Sequence, residues 1–396
     1  MNAGRKEIVR LLVALIAILV ALIPGQPLSA QDGEDTEDPI AEIDAFLNRM
    51  VEDDTFSGSV LIARGNEVLL SQGYGLANRE WGAANTPQTI FRIHKLTMQF
   101  TGMAILMLQE RGLLSVEDSI CQYLEDCPES WQDITIHHLL THSAGLHAVP
   151  GSRDFDYALG NRRTALNLIR QDPLYFAPGE AMSWSDAGYW LLGEIIDEVH
   201  DGTYDDFLRE NIFEPLGMNN TDYDNPNRIV SQRAAGYTSY FSRRAGLTNM
   251  QVPYAAGGLY STVEDLYRWE QALFGGEVVS TETWETMLED AYSIDTLEDE
   301  SWVTGWKNFL NLDTDMPGQY SSGLAIGAKG GHPVIQHFGM DDATGTNGYS
   351  GFQSAMVRFT DDDLTIIILS NLESVPMDTL VNVVAAKLYD ERLYGG

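Results

Sequence analysis

Strand hairpins stand at both ends of this sequence with helices between them, and that order limits the fold more than any other feature. GSVLIARG and EVLLSQGYG read as paired strands on either side of Gly65 and Asn66. GFQSAMVRF and LTIIILSN form a second pair near the far end, divided by the turn TDDD, and VNVVAAKLYDERL follows as a last helix. IAEIDAFLNRMV has apolar residues at helical spacing, and MQFTGMAILMLQERG is a helix closing on Gly112. From about 113 to 230 the patterns are mainly helical, as in YWLLGEIIDEVH and YDDFLRENIF. No internal repeat occurs. The economical architecture is one α+β unit over residues 40–396, built from both ends of the chain with a helical region inserted at about 113–230.

The N-terminus speaks to compartment. Arg5, Lys6 and Arg10 precede the 13-residue apolar run LLVALIAILVALI, and PGQPLSA then offers small residues before Gln31. That order is a secretory signal peptide over residues 1–30, and the run is short of the roughly 20 residues that span a bilayer. The expected location is periplasmic or extracellular, with an N-terminal membrane anchor as the alternative if the segment stays uncleaved and no membrane span if it is removed. Residues 31–39, QDGEDTEDP, read as an acidic linker. The formal net charge of -34, from 58 acidic and 24 basic residues, repels nucleic acid and anionic lipid and excludes both as partners. Cys121 and Cys127 in ICQYLEDCPESW are the two cysteines of the chain, and in an exported protein they read as one small disulfide.

Four longer stretches carry a family resemblance that spans nearly all of the chain after the N-terminal segment. HHLLTHSAGL, YFAPGEAMSWSDAGYWLLGEIID, NIFEPLGMNNT and AAGGLYSTVEDLYRWEQALFGG are similar, in this order, to the serine β-lactamase and penicillin-binding-protein-like superfamily. They look most like its esterase and D-aminopeptidase-type branch, near the class C enzymes. The resemblance implies a β-lactamase/transpeptidase-like fold, an antiparallel sheet flanked by helices, with a cleft between the sheet and the helical region. It implies less about chemistry, which depends on the side chains in the site.

The family's chemistry lies in three short motifs. Ser-x-x-Lys opens the buried helix, because residues three apart share a helix face and the amine can help take the serine proton. In FRIHKLTMQFTGMAIL the matching positions are Lys95 and Met98. Thr97 is the hydroxyl nearby, but two positions along a helix turn it about 200° away. The second motif, Tyr-x-Asn, is matched by Trp184-Ser185-Asp186, where an indole that only donates replaces a phenol and an anion replaces an amide. The third, His-x-Gly, is matched by His337-Phe338-Gly339. The segment MDDATGTN that follows is longer than usual, so the loop at the mouth of the cleft is expected to be enlarged.

The resemblance therefore places His94, Lys95, Trp184, Asp186, His337 and Phe338 around the cleft. His94 stands where the family has a small residue at the tight start of the helix, and it is expected to fill part of the pocket. Lys95 and Asp186 are expected to pair, since a buried unpaired ammonium costs several kcal/mol. His138 and His142 have a spacing compatible with a metal but lack an HExxH-type glutamate, and HLLTH matches a structural family segment. Asp341, Asp342 and Asn347 fit no calcium loop and read as a solvated turn. No metal or cofactor is implied. The expected function is an exported pseudohydrolase whose cleft binds a small molecule, a peptide or a cell-wall fragment. Two enzymatic alternatives remain: Lys95 as an amine nucleophile, for instance through a Schiff base, and residual hydrolysis by a non-family mechanism.

Overall fold

The computed structural model describes residues 38–147, 162–238, 243–246, 248–297, 300–339 and 351–389. The segment expected to be a signal peptide and most of the expected linker, together with Asp341, Asp342 and Asn347, lie outside the described residues.

Strands β1 (Gly58–Arg64), β2 (Glu67–Tyr74), β3 (Tyr292–Ser293), β4 (Gln319–Ser321), β5 (Leu324–Lys329), β6 (His332–Gly339), β7 (Gln353–Phe359) and β8 (Leu364–Ser370) form one sheet. Their order is β3-β4-β5-β6-β7-β8-β1-β2, and every neighbouring pair is antiparallel. The N-terminal hairpin joins the C-terminal one through β1 and β8, in register from Gly58 opposite Ser370 to Arg64 opposite Leu364. Side chains alternate between two cores, as a period of two requires. Val60, Ile62, Val357, Phe359, Ile366 and Ile368 face one core, while Leu61, Ala63, Met356, Ile367 and Leu369 face the other.

Six helices matter for the site: α1 (Pro39–Glu52), α2 (Thr97–Glu110), α3 (Asp186–Val199), α4 (Val263–Phe274), α5 (Glu300–Phe309) and α6 (Met377–Leu388). The two terminal helices, α1 and α6, cover the first core, burying Ile43, Leu47, Leu380, Val381 and Val384. Helix α6 begins at Met377, earlier than the VNVV segment suggests, because Met377 and Leu380 are already buried. On the other face α2 is buried almost throughout, including every residue from Thr97 to Leu106, as a helix apolar all round must be.

The region from 113 to 230 contains less helix than its patterns suggest. Its described helices are the short 3-10 turns Ile120–Gln122 and Glu129–Trp131, the α-helices Ile136–Leu140, Arg162–Gln171, Asp186–Val199 and Tyr204–Leu208, and the π-helical turn Arg209–Phe213, with irregular segments between them. The bond between Cys121 and Cys127 closes one of those segments. Asp222–Tyr223 is a strand instead, in a small sheet with Phe91–Arg92 and Leu259–Ser261. That sheet fixes the chain just ahead of α2.

Two glycines let the β4–β5 turn press against α2. A Cβ on Gly102 would stand 2.6 Å from the Ser322 carbonyl oxygen. Gly323 has a φ of +78°, and its Cβ would meet the Gln99 backbone nitrogen at 2.4 Å. Gly102→Ala is expected to cost about 2–3 kcal/mol by overpacking a backbone contact, read as a lower urea midpoint at unchanged slope. A midpoint within error of the parent would show that the turn can move away.

Candidate functional site: a cleft closed by an ion pair

The segment before α2 is held on three sides. The backbone of Leu259 receives a hydrogen bond from the Ile93 N–H at 3.1 Å and donates one to Thr97 Oγ1 at 3.2 Å. Thr97 is thus spent on the backbone and takes no part in the cleft. Gly339 lies against the same segment, where a Cβ would come within 2.4 Å of the Ile93 carbonyl oxygen and 2.1 Å of Ser354 Oγ. The glycine of the third motif is therefore required by packing alone. His94 follows with φ 49°, a left-handed conformation that an L residue adopts at a cost of about 1 kcal/mol. The backbone thus makes a glycine-like turn with a histidine at its centre.

That turn delivers Lys95 to the cleft, half-buried at 14% side-chain exposure. Ser185 caps α3, its side chain accepting from the Gly188 N–H at 3.1 Å, and the next residue, Asp186, is thereby aimed at α2. Lys95 Nζ stands 3.2 Å from Asp186 Oδ1. Trp184 Nε1–H donates to the same oxygen at 2.8 Å, and the Lys95 ammonium lies 5.1 Å from the indole centroid. Ammonium, carboxylate and indole thus satisfy one another, combining a charge-assisted bond with a cation–π contact. Phe309, at the end of α5, packs edge-on against Trp184 at 5.3 Å.

Below this triad the cleft is apolar and aromatic. Met98 is fully buried, and its sulfur accepts weakly from the Tyr320 hydroxyl at 3.9 Å. His142, at φ 57°, lies tilted against Trp184 at 4.3 Å and Tyr320 at 4.9 Å, with its Nδ1 accepting from the Ser185 N–H at 3.2 Å. His337 donates from Nδ1 to the Gly323 carbonyl. Burial is the largest cause that lowers the basicity of three histidines; Arg92 and Lys95 add to it at His94, and the bond to Gly323 opposes it at His337. The pKa of His337 falls to about 4, that of His94 to about 3, and that of His142 well below its ordinary value.

One cleft assignment is corrected. Strand alternation that turns His337 into the cleft turns Phe338 to the opposite face, into the core under the terminal helices, where the Lys329 ammonium lies 5.8 Å from its ring. His138 Nδ1 accepts from the Thr135 N–H at 3.1 Å in a helix capping box. His142 and Tyr320 were missed as cleft walls. His142 carried only the structural HLLTH signal, and Tyr320 belongs to a three-residue strand with no motif of its own.

A protein-family model described as beta-lactamase matches residues 43–389. The chain belongs to the beta-lactamase family. It is 27% identical over 360 residues to a penicillin-binding protein of Bacillus subtilis (strain 168), covering 86% of this chain and 73% of that one. The crystal structure of a penicillin binding protein from Bacillus halodurans is similar at 25% identity and TM-score 0.69, over 86% of this chain and 98% of that chain. D-amino acid amidase from Ochrobactrum anthropi SV3 shares the fold at TM-score 0.72 and 20% identity, over 90% and 99% of the two chains.

In this beta-lactamase-family protein, Lys95 stands in the turn ahead of the buried helix and meets Trp184 and Asp186, while Met98 in the first turn of that helix meets Tyr320. Acyl transfer needs an oxygen nucleophile, a base within reach and an acid for the leaving group. Among the side chains described here, the ammonium is tied to a carboxylate, the thioether is no base, and the indole N–H is already donated to Asp186.

Proposed function

We propose that this protein is an exported, non-acylating member of the beta-lactamase family whose cleft serves recognition of a small molecule, a peptide or a cell-wall fragment. The observation that carries the reading is the contact of Lys95 Nζ with Asp186 Oδ1 at 3.2 Å, shared with the Trp184 N–H. An ammonium in that state has no lone pair for attack, which also weighs against Lys95 as a Schiff-base nucleophile. Export is supported by the basic and apolar N-terminal segment and by the disulfide, a bond that persists in oxidising compartments.

Fluorescent penicillin is expected to leave the protein unlabelled after denaturing electrophoresis, and simple esters to be hydrolysed without a burst. A covalent label mapped to the Thr89 to Leu106 segment would defeat the reading. Borohydride reduction in the presence of an aldehyde panel is likewise expected to leave Lys95 unmodified by mass spectrometry. Ligands of the cleft are sought by thermal shift, because a compound at 100 times its Kd stabilises the folded state by about 2.7 kcal/mol.

A further inference from the structure

An open cavity of about 590 Å³ lies away from the cleft, at the far end of α3. Glu194 and Glu198 form one of its walls, about 12 and 18 Å beyond Asp186 along the helix axis. The helix Arg162–Gln171 forms a second wall, where Arg163, Leu166, Asn167 and Arg170 recur at helical spacing and share one face. Residues 123–126 form the third, inside the ring closed by Cys121 and Cys127. Arg170 Nη2 donates to the Glu125 carbonyl at 2.6 Å, which pins that ring to the end of the second wall. Opposite charges line this space without cancelling. Arg162 is spent on Glu194 and Asp197, with its guanidinium 4.3 Å from the Tyr254 ring centroid. Arg163, Glu125, Asp126 and Glu198 make no ion pair among the described residues.

We infer that this cavity binds a short peptide with free ends, its carboxylate on Arg163 and its ammonium on Glu125 and Asp126. A simple anion meets the carboxylates of Glu125, Asp126, Glu194 and Glu198 on a chain of net charge -34, and a simple cation meets three guanidiniums. A molecule with both charges is opposed by neither. The planar fork of an arginine takes a carboxylate through two hydrogen bonds. Arg163 and Arg170 stand about 10 Å apart along their helix, and Glu125 is held at the Arg170 end, where it and Asp126 outweigh that guanidinium. An extended tripeptide spans about 10 Å, which a single amino acid does not. Tyr123, Leu124 and Leu166 add apolar surface for its side chains, and the volume falls in the range of about 300–1,000 Å³ usual for small-molecule sites. This site goes beyond the recognition proposed for the cleft and does not rest on it.

The test is titration calorimetry of the folded protein with tri-L-alanine, its N-acetyl form and its C-terminal amide. Tri-L-alanine is expected to bind, and each cap to weaken it by at least about tenfold, as the loss of a charge-assisted bond does. Arg163→Gln removes the partner of the carboxylate, so in that variant the amide cap should cost nothing further while the acetyl cap still does. Glu125→Gln with Asp126→Asn should reverse the pattern. All three side chains are exposed, so these variants are expected to keep the urea midpoint of the parent. A dissociation constant weaker than about 1 mM, free and capped peptides that bind alike, or cap costs that the variants leave unchanged overturn the inference. Binding lost in Asp186→Asn but kept in Arg163→Gln places the peptide in the cleft, which overturns this inference and leaves the recognition proposed for the cleft standing.

Discussion

Lys95→Ser alone is expected to remain unlabelled by fluorescent penicillin, whereas Lys95→Ser combined with Met98→Lys, Trp184→Tyr and Asp186→Asn is expected to hydrolyse simple esters slowly. The lysine amine that touches Asp186 lies four bonds beyond Cβ, and a serine oxygen lies one bond beyond it. The new hydroxyl therefore stops well short of the carboxylate and finds the thioether of Met98 on its own helix face, so nothing takes its proton. Serine alone also leaves Asp186 without its cation. Adding Met98→Lys supplies an amine three residues along the same face, close to the Tyr320 hydroxyl that now meets the Met98 sulfur. The two α3-side changes restore a phenol and a neutral amide. General acid–base assistance contributes about 10²–10⁴-fold, so ester turnover of the fourfold variant should exceed that of Lys95→Ser by at least about 100-fold. Label on Lys95→Ser would show that Met98 and Trp184 are no obstacle. A folded but inert fourfold variant would show that the cleft has been remodelled beyond these side chains.

Mild acid is expected to unfold the protein well before its carboxylates are protonated. The histidines that matter are neutral in the folded state, with pKa about 4 at His337, about 3 at His94, and well below the ordinary value at His142. In the unfolded chain each takes its proton near 6.5, so between 6.5 and 4 the unfolded state binds more protons and stability falls as pH falls. The stabilisation is complete above 6.5, and each group removes about 1.4 kcal/mol per pH unit below that. His337 and His94 together remove several kcal/mol by pH 4, a large part of the stability of a typical domain, and His142 acts in the same direction. Urea midpoints at pH 7, 6, 5.5 and 5 should decline steadily. His337→Gln, which keeps a polar side chain without the titration, should shallow that decline. A flat profile from pH 7 to 5 would mean that these rings are solvated or already charged.

What was legible in the sequence follows from what each signal measures. The two hairpins and their shared sheet could be read because apolar runs bounded by turn residues persist over seven or eight residues in β1, β2, β7 and β8. The strands β3 and β4 could not, because two or three residues carry no period. Lys95 and Asp186 were legible as a pair because motif spacing fixes which positions face each other across the cleft. Phe338 was misplaced by the same habit of treating a motif as a block, since neighbours on a strand point to opposite faces. His142 escaped because its place in the cleft depends on a left-handed backbone at φ 57° and on Tyr320, which approaches from more than 170 residues away in the chain.

The pairing of β1 with β8 also sets a timetable. Gly58 and Ser370 are neighbours in the finished sheet, yet more than 300 residues separate them along the chain. Strand β1 therefore cannot find both of its partners until β8 has been made, and loop closure on that scale slows folding. Until β8 arrives, β1 carries an unpaired edge, so a half-folded chain offers other copies a strand to pair with and fast dilution should favour its refolding over aggregation.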